Sequence, residues 1–204
     1  NLPIKVYPLF DTLNSVAWQG FVCTNSQGGV INADRFQISN AHFPLSYETL
    51  PTNQQYTNCV FKRCFQAVTV GNAVALSNCQ FIDNTADGGG AMHLWAVDTK
   101  LTTCDFTRNS VLQRGGAISW SSINSPRLEL EGCILESNSA NSGGALAVLE
   151  GPGSIRLRNT RLCLNSPDNI LGSITNLGGN VLSQDCNQNG VCDADEITNG
   201  SQSD

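Results

Sequence analysis

A short motif that recurs along the chain limits its possible folds more than any other feature. The motif has a small anchor residue, a large apolar residue two positions later, and a polar residue, most often asparagine, three positions after that. Its six copies begin at Ala41, Cys59, Cys79, Cys104, Cys133 and Thr160. Their intervals of 18 to 29 residues indicate one structural unit that is repeated with variable length.

Apolar residues alternate with polar ones just before each anchor. The position three residues before the anchor holds Ile38, Tyr56, Leu76, Leu101, Leu130 and Leu157. The position five residues before it holds Phe36, Gln54, Val74, Thr99, Leu128 and Ile155. A period of two residues is typical of a strand with one buried face.

A second marker follows the clearest copies of the motif: Gly89–Met92, Gly115–Ile118 and Gly143–Leu146 each read Gly-Gly-Ala followed by an apolar residue. Glycine pairs make turns, and alternation resumes after them, so each repeat contains two or three short strands. This pattern predicts an all-β fold, a right-handed parallel β-helix of about six to seven coils. No segment shows the sustained 3.6-residue period of a helix, and an antiparallel sandwich would not repeat one residue type at one position.

Two columns of the repeat are expected to be scaffold. Cys59, Cys79, Cys104 and Cys133 form an inward column flanked by Ala41 and Thr160. We expect free, packed thiols there, the alternative being disulfides between adjacent coils. Asn84, Asn109, Asn138 and Asn165 are expected to form a stacked ladder that satisfies backbone groups at a turn.

The outward columns argue against an active site. Charges of opposite sign follow one another in three columns: Lys100, Glu129 and Arg156; Glu131 and Arg158; Arg63, Asp83 and Arg108. Opposite charges on adjacent strands stabilise a sheet modestly. A glycoside hydrolase would need paired carboxylates, which these columns lack. We therefore expect no enzyme.

The catalytic alternative rests on a few named residues. Its strongest candidates are Lys100, Asp105 and Arg108, which share one coil. We expect ordinary surface roles for both histidines. His93 is placed outward beside Thr69 and Ser119, and His42 is placed in a column with Asp105. No Ser/His/Asp constellation is found.

The quoted repeats resemble those of a known family. Phe81–Asn84 followed by Gly89–Ala91, Phe106–Asn109 followed by Gly115–Ala117, and Leu135–Asn138 followed by Gly143–Ala145 are similar to the FxxN and GGA[I/L] repeats of chlamydial polymorphic membrane proteins. That family consists of surface-exposed, β-helical autotransporter passengers. The resemblance covers roughly residues 79–150 and implies a bacterial adhesin, although the autotransporter's own barrel has no counterpart in this sequence.

Residues 185–196 match the pattern of an EF-hand-type calcium loop at every fixed position. The expected calcium ligands are Asp185, Asn187, Asn189, the carbonyl of Val191, Asp193 directly or through water, and Glu196 with two oxygens. The segment is similar to dockerin-like and thrombospondin type-3-like calcium arrays. Asp204 stands where a second loop would begin, so we expect the polypeptide to continue. A disulfide between Cys186 and Cys192 is expected to staple the loop.

These patterns divide the chain into four parts. We expect an N-terminal cap over 1–35, β-helix coils over 36–165, an irregular last coil and linker over 166–184, and the calcium loop with the start of a second repeat over 185–204. The chain does not begin with Met and has no signal-peptide pattern, so we expect a mature or trimmed chain.

Composition and charge narrow the function. The 204 residues carry 11 basic and 17 acidic side chains, a net charge of −6 that disfavours nucleic-acid binding. No apolar run approaches the roughly 18 residues of a membrane span. We expect a secreted or cell-surface structural or adhesive protein that binds calcium, with a homo-oligomer, a filament or a cell-wall or extracellular glycan as partner. The alternatives are a polysaccharide lyase or hydrolase and a glycan-binding module, for which Trp95 is the one aromatic side chain readily placed outward.

Overall fold

The structure is a computed structural model. It describes residues 4–6, 21–22, 32–42, 45–47, 54–70, 73–95, 98–121, 127–149, 154–183 and 191–192. Every regular element in these residues is a β-strand. None of the described residues forms a helix long and apolar enough to cross a membrane.

The strands build three parallel sheets, here named A, B and C. Sheet A contains, in spatial order, Ile4–Val6, Phe36–Ser39, Val60–Lys62, Gln80–Ile82, Asp105–Thr107, Ile134–Glu136, Arg161–Cys163 and Val181–Leu182. Sheet B contains Phe21–Val22, Leu45–Tyr47, Val68–Val70, Met92–Trp95, Ile118–Ser121, Leu146–Val148 and Ile170–Leu171. Sheet C contains Asn32–Asp34, Gln54–Thr57, Val74–Ser77, Thr99–Thr102, Arg127–Glu131, Ser154–Arg158 and Ile174–Asn176. A further pair, Thr85–Ala86 with Ser110–Val111, lies between sheets A and B along the chain.

The chain visits the sheets in the repeating order A, B, C and pairs each strand with the equivalent strand one turn later. This arrangement is a parallel β-solenoid of about five turns, and its outermost strands lengthen the sheets to seven or eight strands. The parallel β-helix predicted from the repeat is thereby confirmed, with about five turns in place of the predicted six to seven coils. Strands Ile4–Val6 and Phe21–Val22 pair in parallel with the next turn. The four domain boundaries stay predictions.

The register of the first repeat differs from the prediction. Ile38 pairs with Phe61, and Ala33, not Ile38, pairs with Tyr56. Ala41 therefore stands one turn before Cys64 and does not flank the column of Cys59. The copy at 41–46 retains only the phenylalanine of the motif, so the sequence determined its register weakly. The strand pairing aligns Ile38 with the buried phenylalanine column.

Apolar residues that stack turn upon turn fill the interior. Leu76, Leu101, Leu130 and Leu157 pair in one column, as predicted. In sheet A the rings of Phe61, Phe81 and Phe106 are stacked, with centroids 4.9 and 4.5 Å apart. All of these side chains are buried. Burial of a large apolar side chain contributes about 1.5–3 kcal/mol, so the columns supply the core that one turn could not build alone.

Four buried asparagines form the predicted ladder. The side-chain oxygen of Asn138 accepts hydrogen bonds from the backbone nitrogen and from Nδ2 of Asn109, both at 2.9 Å. Its own Nδ2 donates to the oxygen of Phe106 at 2.8 Å and to Asn165 at 3.0 Å. Asn84, two turns before Asn138, donates in the same way from its backbone nitrogen and Nδ2 to Asn109 and from Nδ2 to the oxygen of Phe61. The ladder satisfies backbone groups that the corner would otherwise leave unpaired in the interior.

Left-handed residues turn the chain at two corners of each coil. Directly before the cysteine column stand Asn58, Asn78, Thr103, Gly132 and Asn159, all with φ between 47° and 64°. Directly before the asparagine ladder stand Arg63, Asp83, Arg108, Ser137 and Leu164, with φ between 52° and 57°. Left-handed backbone costs an ordinary L-residue about 1–2 kcal/mol, and Gly and Asn tolerate it best. The left-handed backbone therefore explains why asparagines recur at the corner before the cysteine column.

Candidate functional site

The predicted calcium loop lies almost wholly outside the described residues. This holds for Asp185, Asn187, Asn189, Asp193 and Glu196. Val191 is described, and 41% of it is exposed. Within the described part of the chain, no three His, Cys, Asp or Glu side chains come together to hold a metal ion. The calcium site therefore stays a prediction.

The disulfide predicted between Cys186 and Cys192 is wrong. Cys192 is bonded to Cys163, at the end of the strand Arg161–Cys163, and their Cα atoms are 5.9 Å apart. The sequence favoured Cys186 because it is close in the chain. The fold brings Cys192 to the last turns of the solenoid, where it is buried against Cys163. The bond joins the segment that contains the calcium motif to the solenoid.

The thiols of the cysteine column are free and buried, as predicted. Hydrogen bonding to Cys104 and burial raise the pKa of Cys79 to about 12, and hydrogen bonding to Cys133 and burial do the same for Cys104. The interaction with the Cys104 thiol lowers the pKa of Cys133, the last cysteine of the column. Cys79 and Cys104 are protonated at neutral pH and hidden from solvent, so they serve packing and not nucleophilic chemistry.

Most charges on the outward face of sheet C are paired with one another, but Glu131 pairs with Lys100 and Arg158 forms no ion pair with a described residue. Glu129 accepts from Arg156 at 3.2 Å and lies 3.6 Å from Arg127, while Lys100 Nζ lies 3.2 Å from a carboxylate oxygen of Glu131. Lys100, Glu129 and Arg156 are paired in one column, as predicted. Exposed ion pairs of this kind contribute about 0–1 kcal/mol each.

A shallow depression of about 470 Å³ lies at the beginning of the same face. Its small residues are Ala73 and Ala75, and its polar lining includes Gln55, Lys100 and Glu129. The two charged groups named here are already engaged with neighbouring side chains. The depression is polar, but its charges are committed within the protein.

The three catalytic candidates do not converge. Lys100 lies in sheet C and pairs with Glu131, whereas Asp105 lies in sheet A and accepts a hydrogen bond from the hydroxyl of Thr107. Arg108 pairs with Asp83 at 2.7 Å, as the alternating charges of that column predicted. Each group has its own partner, so sharing a coil does not bring them to one point.

His93 differs from its predicted surface role. It lies beside Thr69 and Ser119 on the outward side of sheet B, as predicted, but only 7% of it is exposed. Its Nδ1 lies 2.5 Å from Oγ of Ser119, which is fully buried. Burial lowers the pKa of His93. The sequence missed this burial because the glycine-rich turn folds over the sheet: a Cβ at Gly89 would collide with both His93 and Ser119.

His42 is also placed differently. Gln37, and not His42, shares the column of Val60, Gln80 and Asp105, because the first repeat is shifted in register. The ring of His42 stacks on Phe65 with centroids 4.6 Å apart.

A second groove, which the sequence reasoning missed, runs along the edge of sheet B. It has a volume of about 460 Å³ and is lined by Gly88, Gln113, Arg114, Asn141, Ser142 and Leu149. The lining residues of its wall stand just before the repeated glycines at 89, 115 and 143. That position in the repeat was the available signal, since it placed lining residues of three turns, polar in two of them, on one side of the solenoid.

Comparison of the chain with protein-family models, with curated proteins and with solved structures gave no match. The resemblance to chlamydial polymorphic membrane proteins therefore rests on the quoted motifs alone, and the parallel β-solenoid rests on the strand pairing.

Proposed function

We propose that the chain is a structural or adhesive part of a secreted or cell-surface bacterial protein. In this proposal a rigid β-solenoid serves as a spacer or adhesive surface, and its C-terminal loop binds calcium for attachment or assembly. The observation that carries it is the pairing of charged side chains with one another on sheet C and at the corner after sheet A. Such faces suit a scaffold better than a catalytic centre, which needs convergent titratable groups.

The Cys163–Cys192 disulfide supports an extracellular location. Disulfides persist in oxidising compartments and are rare in the cytosol. The free cysteines of the interior agree with this location, because burial protects them from the same oxidants. The bond also gives the calcium motif a fixed point of attachment on the solenoid.

The calcium motif supports the second half of the proposal. Asp185, Asp193 and Glu196 would supply carboxylates, and Asn187 and Asn189 amide oxygens, a hard-oxygen set that calcium prefers. A loop with this ligand set suits the millimolar calcium of extracellular fluids.

Self-assembly is proposed through the solenoid ends. Among the described strands, Ile174–Asn176 and Val181–Leu182 stand at the outer edges of sheets C and A. Leu182 is 41% exposed. Edge strands offer unpaired backbone groups to a second chain.

Light scattering tests the proposed assembly directly. We expect the molar mass of the chain to rise in millimolar calcium and to return to that of a monomer in chelator. Glu196→Gln should abolish the rise, and Asp87→Asn, which removes an exposed carboxylate of the solenoid, should leave it unchanged. A monomer under both conditions would contradict calcium-dependent assembly. A polyuronate cleavage assay tests the enzyme alternative, which stays a second proposal.

A further inference from the structure

The polar side chains of the groove beside sheet B are unpaired among the described residues, whereas most charged side chains on the face of sheet C form ion pairs. No described residue gives the side chains of Gln113, Arg114, Asn141 or Ser142 a hydrogen-bond or ionic partner. Gln113, Arg114 and Asn141 are also exposed. Arg114 is the one charged residue of the lining. The groove therefore offers a cation and two amides that remain free to bind a ligand.

Trp95 shares an outward column of sheet B with one of the residues that line this groove. Trp95 pairs with Ser121 across sheet B, and Trp120 pairs with Val148. Leu149, which follows Val148, therefore stands in the outward column of Trp95 and Ser121. Trp95 is 47% exposed, so part of a large aromatic ring is open to solvent on the same turn as Gly88 of the groove.

A buried pair of side chains holds Trp95 in place. The ring of His93 meets the ring of Trp95 edge-on, with centroids 4.7 Å apart and an angle of 83° between the planes. His93 is in turn fixed by Ser119 at 2.5 Å. An aromatic side chain fixed in this way loses little conformational freedom when a ligand stacks on it. His93 and Ser119 are positioning residues in this arrangement.

The groove extends over three turns of the solenoid. Its wall takes residues from three successive turns, at Gly88, at Gln113 and Arg114, and at Asn141 and Ser142. Turns stack at the ordinary interstrand spacing of about 4.8 Å, which is close to the length of one sugar unit in an extended polysaccharide. Successive turns can therefore meet successive sugars.

We infer that this groove binds an acidic glycan chain, in which Trp95 stacks on a sugar ring and Arg114 pairs with a carboxylate. The guanidinium of Arg114 matches a carboxylate in a two-pronged hydrogen bond. Gln113 and Asn141 supply donors and acceptors for hydroxyl groups. This inference deepens the proposed extracellular role by naming a partner. It rests on the proposed function only for the extracellular location in which the protein would encounter the glycan.

Calorimetric titration of the full chain with oligogalacturonate and with oligoalginate tests the inference. At least one of these acidic probes should bind, and neutral cello-oligosaccharides should bind at least about tenfold more weakly, the effect of losing about 1.4 kcal/mol. Arg114→Gln and Trp95→Ala should each weaken binding about tenfold or more. Trp95→Phe should retain part of the affinity, since a smaller ring still stacks.

Arg158→Gln is the matched control, because Arg158 is an exposed arginine on sheet C and no described residue forms an ion pair with it. It should leave the affinity within twofold. The inference is overturned if neither acidic probe binds, if the neutral probe binds as tightly, or if Arg158→Gln weakens binding as much as Arg114→Gln. Each titration uses the purified monomeric chain in chelator. A failure of glycan binding is therefore distinguishable from a failure of calcium-dependent assembly.

Discussion

Single residues determine the stability of this solenoid where backbone groups are buried or the backbone is left-handed. The asparagine ladder satisfies hydrogen-bonding groups at one corner, and left-handed residues turn the chain before it. The turn over sheet B buries a histidine. Each feature predicts the effect of one substitution.

Asn138→Ala should destabilise the protein strongly. It removes the acceptor for the backbone nitrogen and Nδ2 of Asn109 and the donor to the oxygen of Phe106, all in the interior. Each buried group left unpaired costs about 1–3 kcal/mol, so we expect a loss of about 3 kcal/mol or more. Chemical denaturation measures it. Asn141→Ala, at an exposed site, should change stability by no more than about 0.5 kcal/mol. Equal effects of the two substitutions would contradict the role of the ladder.

Thr103→Asn should stabilise the protein. Thr103 is exposed and has φ of 52°, a backbone region that a β-branched residue adopts at a cost. Asn58 and Asn78 occupy the equivalent corner and are hydrogen-bonded to each other at 2.6 Å, so an asparagine at 103 would extend that outer stack. We expect a gain of about 1 kcal/mol in the free energy of unfolding. Thr103→Val, which keeps the branched side chain, should give none. A gain with valine would show that the backbone region is not the cause.

His93 should make stability depend on pH. Burial lowers its pKa in the folded state, so the unfolded chain binds a proton more readily than the folded one. Its contribution is fully present above the ordinary value of about 6.5 and is lost as the pH falls through that value toward the lowered folded pKa. Thermal unfolding at pH values from about 7.5 to about 5 measures the loss. His93→Gln should show a smaller decline over this range, and an unchanged decline would contradict the assignment.

At the scale of strands and turns, the sequence predicted the regular repeats well and the irregular parts poorly. The copies beginning at Cys79, Cys104 and Cys133 carried both the asparagine and the glycine marker, and their registers were predicted correctly. The copy at Ala41 lacked these markers, and the register predicted for it was wrong. Alternation predicts which side of a strand faces outward, but it contains no information about a turn that folds over the sheet. The burial of His93 and the groove at Arg114 therefore escaped prediction.

The repeated glycines allow the glycine-rich segments of successive coils to lie close to one another. A Cβ at Gly90 would lie 2.6–2.8 Å from the backbone oxygens of Ala117, Gly115 and Met92. Gly90→Ala should therefore force the backbone apart and lower the melting temperature by several degrees, equivalent to about 1–3 kcal/mol. Gly88→Ala is the matched control, because the nearest atom to its Cβ would be 3.9 Å away. If both substitutions lower the melting temperature equally, close packing of the turn is not the reason for the glycine.

At the scale of the whole molecule, the Cys163–Cys192 disulfide joins the C-terminal calcium motif to the solenoid. The central claim of the proposed function is that solenoid and tail act as one calcium-dependent unit. A ligand that binds only the folded state stabilises it by about 2.7 kcal/mol at a concentration one hundred times its dissociation constant. Calcium bound at the tail should therefore raise the melting temperature of the solenoid.

The most direct test is thermal unfolding of the disulfide-bonded chain in saturating calcium and in chelator, followed by circular dichroism of the β-sheet. The account predicts a melting temperature about 5 to 10 °C higher in calcium, a shift that Glu196→Gln removes and that Cys192→Ser reduces by releasing the tail from the solenoid. Identical melting temperatures in calcium and in chelator would contradict it.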